Sequence, residues 1–227
     1  RCATELSFLD LVLQEKKKCL SSILPFEKPI SYSCILPFIP MKYLKLVLWF
    51  IKVSNFNQIK VKTNGQDDNE RLSMIRNTLG YDIEIRIDGN SIYDYNSFQK
   101  NLNFFKKYKI KWVEQPFLKE KHNEIVANFK QRDIPLMADE SLCNFKDANS
   151  IIENKYFDLF NIRISKNGGV YNSLKMVDLA KKNNIGYQLG AQVGETAILS
   201  IVGRFLGYFI EPLALEGSAG TFLLKKD

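Results

Sequence analysis

The sequence predicts an α/β protein of eight parallel strands separated by seven helices, a (β/α)7β barrel of the TIM type. Three observations carry that expectation. Strand-like and helix-like segments alternate strictly from residue 30 to residue 215, which demands parallel strands and right-handed crossovers. The unit repeats: Lys62, Asp88, Glu114, Asp139 and Lys166 follow one another at steps of 26, 26, 25 and 27 residues. Each of these ionisable residues falls at the C-terminal end of a predicted strand, where such barrels place their chemistry.

The elements follow in order. Leu6, Leu9, Val12 and Leu13 recur at helical spacing, so residues 1–18 read as a helix. Pro25 and Pro29 interrupt the chain, and Pro29 leads into a first strand at 30–36. Pro37 and Pro40 precede a helix at 41–53. Further strands are expected at 58–62, 83–88, 110–114, 134–139, 159–164, 186–189 and 209–215. The intervening helices are expected at 67–79, 96–108, 119–131, 146–154, 170–183 and 195–206. Residues 1–24 form a junction helix and linker in this reading, and residues 25–227 form the barrel.

Composition narrows the chemistry. Hydrophobic residues make up 45% and aromatic residues 12% of the 227, enough for a large core and too many for a disordered chain. The net charge is +7, but the basic residues are dispersed over predicted helix ends and faces. That distribution is a solvated surface and not a nucleic-acid footprint. Cys2, Cys19, Cys34 and Cys143 show no CxxC pair and no framework spacing, which suits reduced thiols and a cytoplasmic location. His122 is the single histidine and follows a charged run, so histidine-based zinc sites and Ser-His-Asp triads are excluded. The longest apolar run, 43–53, is broken by Lys45 and Lys52 and is too short to span a bilayer; it reads as a buried helix with no membrane partner.

On a barrel the strand ends converge on one rim. Asp88, Glu114 and Asp139 would then face one another, and three carboxylates at such range require a cation. An all-oxygen set suits a hard divalent ion: Mg2+ first, with Mn2+ as a substitute. Asn90, two residues beyond Asp88, is placed to hydrogen-bond into that shell, and Glu140 to orient a neighbouring lysine. Lys60 and Lys62 alternate as K-V-K and share a face. Ile59 and Val61 suit the helix layer, which turns both lysines inward, where unpaired ammonium groups are costly. Lys166 approaches from the far side. The expected rim order is Lys, Asp, Glu, Asp, Lys, with a cation in the middle that lowers the lysine pKa values toward working pH. Such a site abstracts a proton next to a substrate carboxylate, and the cation stabilises the resulting enediolate.

These residues carry a resemblance. K-V-K on the second strand, D-G-N on the third, V-E-Q-P on the fourth, M-A-D-E-S on the fifth and N-I-R-I-S-K-N-G-G on the sixth resemble the enolase superfamily, most closely its muconate lactonizing enzyme subgroup. Lysine bases paired with Mg2+ are a known pattern for that superfamily. The resemblance implies that Asp88, Glu114 and Asp139 hold Mg2+ and that Lys62 and Lys166 are the acid–base pair. Lys60 would tune Lys62 or touch the substrate carboxylate. It also implies a small carboxylate substrate, a homo-oligomer, and an N-terminal capping domain for which this chain shows no counterpart.

Several residues beyond the motifs join the expected site. The glycine-rich stretch 190–196, with Gln192, is expected to offer backbone amides to substrate oxygens. Arg163 is expected to share the face of Lys166 by strand alternation and either to bind an acidic substrate group or to partner an interior carboxylate, and Glu216 to contact the substrate. Dipeptide epimerases of the superfamily carry D-x-D near that position, whereas this chain reads Ala214, Leu215, Glu216. The expected activity is Mg2+-dependent proton abstraction α to a carboxylate. Its outcome is cycloisomerisation, racemisation or epimerisation, or dehydration. The alternative is a catalytically incomplete barrel with a binding or structural role.

Overall fold

In the computed structural model, residues 1–23, 30–121 and 132–217 are described. They form an α/β fold on a parallel sheet, with strands β1 (Cys34–Leu36), β2 (Gln58–Lys62), β3 (Glu84–Asp88), β4 (Ile110–Glu114), β5 (Leu136–Ala138), β6 (Leu159–Ile162) and β7 (Gly186–Leu189). The sheet order is the chain order, β1 to β7. The helices among the described residues are α1 (Cys2–Glu15), α2 (Leu20–Ile23), α3 (Met41–Val53), α4 (Asp68–Leu79), α5 (Tyr95–Lys107), α6 (Phe145–Asn154), α7 (Val170–Lys182) and α8 (Ala197–Ile210). None of them is long and apolar enough to cross a membrane. The predicted helix at 119–131 and His122 lie outside the described residues apart from 119–121.

The chain divides into two compact units. One comprises residues 33–141 and 149–159; the other comprises 1–32, 142–148 and 160–227. In the first unit β1 to β5 pair in parallel, with Lys62 opposite Asp88 and Asp88 opposite Glu114 in register. Ile59, Val61, Ile85, Ile87 and Val113 are fully buried. Leu44, Leu48, Leu72, Ile75, Phe98 and Phe105 bring the helices onto them. Each such side chain contributes about 2 kcal/mol on leaving water. Helix α5 starts where the sequence supplies a capping box: the Ser97 amide donates to Asp94 Oδ1 at 2.7 Å and the Asp94 amide donates to Ser97 Oγ at 3.0 Å. That cap stabilises the helix by about 1 kcal/mol. In the second unit α1 packs against α8.

Four expectations are corrected. The first strand is short, Cys34–Leu36, because only these three residues of the expected 30–36 pair with β2, opposite Ile59–Val61. Helix α3 is amphipathic and not buried all round: Leu44, Leu48 and Ile51 are buried, while Tyr43, Leu46, Trp49, Phe50 and Val53 are exposed. The strand expected at 159–164 stops at Ile162, because Asn167 Oδ1 accepts the Arg163 amide at 2.9 Å and a turn closes from Gly169 N to Ile164 O at 2.8 Å. The first two residues of the strand expected at 209–215 are absorbed into α8, since the apolar run FLGYFI continues the helical stripe. Glu211 ends that helix at a left-handed φ of 50°, and Leu215 then makes an isolated parallel bridge to Leu189.

Candidate active site at the strand ends

In the first unit the parallel register delivers the expected side chains to one another. Lys60 is 3% exposed, Asp88 2% and Glu114 0%. The Lys60 ammonium lies 3.3 Å from Asp88 Oδ2 and 3.4 Å from Glu114 Oε2. It therefore serves two buried carboxylates at once, a charge arrangement that burial tolerates only when the charges are matched. Lys62 lies 3.2 Å from Asp88 Oδ2 and donates a 2.7 Å hydrogen bond to Asn90 Oδ1. The inward turn of both lysines thus follows from the K-V-K alternation, as Ile59 and Val61 fill the apolar core. Asn90 adopts a left-handed φ of 41°, and its amide donates to Asp88 Oδ1 at 3.2 Å.

The loop after β3 is sealed against the end of β4. The amides of Gly89, Ser91 and Tyr93 donate to the carbonyls of Glu114, Gln115 and Pro116 at 2.8, 2.8 and 3.0 Å. Gly89 is required by this approach, since a Cβ there would lie 2.9 Å from the Pro116 Cα. Asp139 is 1% exposed and sits one residue beyond β5. Glu140 follows it, exposed, in the turn.

Several buried polar residues around the strand ends are not predicted by the sequence patterns. Gln115, fully buried, reaches from the end of β4 to the Asp139–Ser141 turn. Thr63 pairs with the Tyr93 hydroxyl at 2.9 Å, and that hydroxyl donates to Asp68. Burial pushes the Asp68 carboxyl up from its ordinary value and, aided by the Asp68 charge, pushes the Tyr93 phenol far above its own. The only sequence signal for Gln115 is its place in V-E-Q-P; Thr63 and Tyr93 carry none.

The remaining predicted residues lie in the other unit. Lys166 is on the turn after β6, not on the strand, and donates to the Asn161 carbonyl at 3.1 Å. Arg163 is three residues before it on the same turn, so strand alternation does not relate the two. Glu216 is 4% exposed and its Oε2 accepts from the Ala191 amide at 3.4 Å. Gln192 is exposed, and its amide donates to Glu195 Oε1 at 2.9 Å. Glu195 and Glu216 line a cavity of about 190 Å³ with Tyr32, Ile164, Gly190 and Arg204. Burial pushes the Glu195 carboxyl up; the Gln192 amide and the Arg163 charge act against it, and the Glu216 charge reinforces it.

The donor set tests the expected cation by its chemistry. Asp88, Glu114 and Asp139 are buried carboxyl groups, an all-oxygen set that fits a hard dication and not zinc. Among the described residues no three acidic, histidine or cysteine side chains are arranged to hold a metal ion, and the Lys60 ammonium already lies against two of these acids. The fit therefore rests on donor type, burial and strand register.

A family model described as Enolase C-terminal domain-like matches residues 47–204. The chain belongs to the enolase superfamily, in its mandelate racemase/muconate lactonizing enzyme group. It is similar to the D-Ala-D/L-Ala epimerase of Cytophaga hutchinsonii, 33% identical over 176 residues, covering 73% of this chain and 48% of the relative. It is also similar to the N-succinyl-L-Arg/Lys racemase of Bacillus cereus, 31% identical over 171 residues, covering 75% and 46%. The solved dipeptide epimerase of Cytophaga hutchinsonii, complexed with Mg and the dipeptide D-Ala-L-Val, superposes with a TM-score of 0.79 at 26% identity, over 88% of this chain and 55% of that one. The chain thus spans about half the length of the curated relatives it matches.

Proposed function

We propose that the protein is a Mg2+-dependent epimerase or racemase that inverts the carbon next to the carboxylate of a dipeptide or N-acylated amino acid. The observation that carries this reading is the inward pair Lys60 and Lys62, both within 3.4 Å of Asp88, in a chain whose relatives are named epimerases and racemases. Residues 25–227 are the catalytic barrel in this reading, with an eighth strand near Leu215 completing it, and the working assembly is a homo-oligomer.

Asp88, Glu114 and Asp139 would hold Mg2+. When bound, it supplies Lewis-acid stabilisation of the charge that develops on the substrate carboxylate. The chain's own groups move the proton. Lys62 takes it from the α-carbon: the C–H bond breaks, an N–H bond forms at its amine, and the electron pair passes into the carboxyl group. Lys166 returns a proton to the opposite face, forming the inverted C–H bond; the two lysines exchange roles in the reverse direction. Asn90, accepting from Lys62 Nζ, aims the amine, and Lys60 holds the positive charge beside the acids and meets the substrate carboxylate. Arg163, Gln192 and Glu216 contact the remainder of the substrate, and Glu140 orients a lysine at the rim.

A second reading, a barrel that binds carboxylates without turnover, is favoured by the absence of a closed three-acid group among the described residues. One experiment separates them. The protein is incubated in D2O with Mg2+ and a panel of dipeptides and N-succinyl amino acids, and α-proton loss is followed by NMR. Exchange accompanied by epimer formation supports the enzyme, and Lys166→Ala should abolish exchange at one face. Mg2+ binding without exchange on any of the panel assigns the second reading.

A further inference from the structure

Gln115 is an unusual residue for its place. It follows the proposed ligand Glu114, is fully buried, and holds a left-handed φ of 34° that a residue with a Cβ rarely adopts. Such strain costs about 1 kcal/mol or more and persists only where the surroundings over-determine the conformation. Here they do, because both ends of the side-chain amide are used. Gln115 Oε1 accepts from the Asp139 amide and from the Ser141 amide, each at 3.0 Å. Gln115 Nε2 donates to Ser141 Oγ at 2.8 Å and to the Phe117 carbonyl at 2.7 Å. The main chain joins in: Gln115 N donates to the Met137 carbonyl and its own carbonyl accepts from Ser91, both at 2.8 Å. One buried side chain thus ties the end of β4 to the turn that carries Asp139.

We propose that Gln115 is a positioning residue: it sets the main chain of Asp139 against that of Glu114, so that the two carboxylates are presented at a fixed spacing to the divalent cation. This rests on the proposed ligand roles of Glu114 and Asp139. No other residue type does the same work. Glu keeps the acceptor but lacks the amide donor, Asn is one methylene too short, and Met fills the volume without a single hydrogen bond. Partners of this kind, one step removed from the ligands, change metal affinity by roughly 10–100-fold when removed.

The test uses the whole chain, Mg2+ as the probe, and the variants Gln115→Met and Gln115→Glu. Calorimetry measures Mg2+ affinity, urea unfolding measures stability, and NMR hydrogen exchange follows the Asp139 and Ser141 amides. Expected for Gln115→Met are exchange at those two amides faster by 10-fold or more and Mg2+ affinity weaker by about 10–100-fold, in a protein still folded in the absence of urea. Gln115→Glu, which keeps the acceptor, should leave both amides protected. Unchanged affinity in the folded Gln115→Met protein, with only stability lowered, overturns the proposal, because the role is then purely structural. Unchanged exchange at both amides overturns it as well. Should Gln115→Met not fold, Ser141→Ala, which removes the hydroxyl that receives Nε2 but leaves Oε1 on both amides, takes the affinity and stability measurements: weaker Mg2+ affinity in the folded protein supports the proposal, and unchanged affinity overturns it. A wild-type chain that binds no Mg2+ defeats the ligand assignment instead, and the amide exchange then decides by itself whether Gln115 holds the turn.

Discussion

Two clusters of acids in this molecule are held differently. At the ends of β2 to β4, Asp88 and Glu114 each meet the Lys60 ammonium within 3.4 Å, and Asp88 meets Lys62 as well. In the other unit Glu195 and Glu216 line a cavity, and Glu195 Oε1 accepts from the Gln192 amide. The first cluster is neutralised by full charges built into a strand register. The second leans on a backbone amide and the Arg163 charge, and burial pushes Glu195 up. Matched charges let carboxylates be buried close together, whereas desolvation by itself pushes a carboxyl up.

The largest effect should come from taking the shared charge away. Lys60→Met leaves two buried carboxylates short of a partner and should cost about 3–5 kcal/mol in urea unfolding measured without divalent ions. A loss below about 1 kcal/mol would mean that the acids are solvated and that the contrast between the clusters is wrong. A smaller loss is expected from Gly89→Ala. The added methyl meets the Pro116 backbone, and forcing the ends of β3 and β4 apart should cost about 1–3 kcal/mol, read from the same unfolding curves. A neutral result there would show that the loop yields, and the close packing beside Asp88 would lose its role.

The smallest effect belongs to the cavity acid. A carboxyl raised in the folded state stabilises the fold below its unfolded pKa and loses that contribution as pH rises through the folded value. Glu195→Gln should therefore gain stability relative to the unaltered protein as pH rises from about 4 to 7, tracked by unfolding midpoints across that range. A pH-independent difference between the two proteins would remove Glu195 from the comparison.

Much of the first cluster is legible in the sequence. Strand alternation places Lys60 and Lys62 on one face, and the 26-residue step puts Lys62, Asp88 and Glu114 in adjacent register, as the Cα pairing has it. Asn90 follows from its distance to Asp88. The expectations that failed did so for local reasons. The strand expected at 209–215 begins in an apolar run that serves a helix equally well, and Arg163 loses its strand geometry because the Asn167 side chain captures its amide. Gln115, Thr63, Tyr93 and Asp68 are out of reach because their partners lie 24 to 30 residues away in the chain, or act through a single side-chain atom.

The sequence by itself determined the family, the parallel α/β plan and the residue types at each strand end, because a two-residue strand period and a repeated unit length are properties of the chain. Only the tertiary structure decided which ammonium serves which carboxylate, where Lys166 sits, and how Gln115 ties Glu114 to the turn of Asp139. Those are matters of a few ångströms between segments brought side by side, and such spacings depend on packing and loop hydrogen bonds that no periodicity encodes.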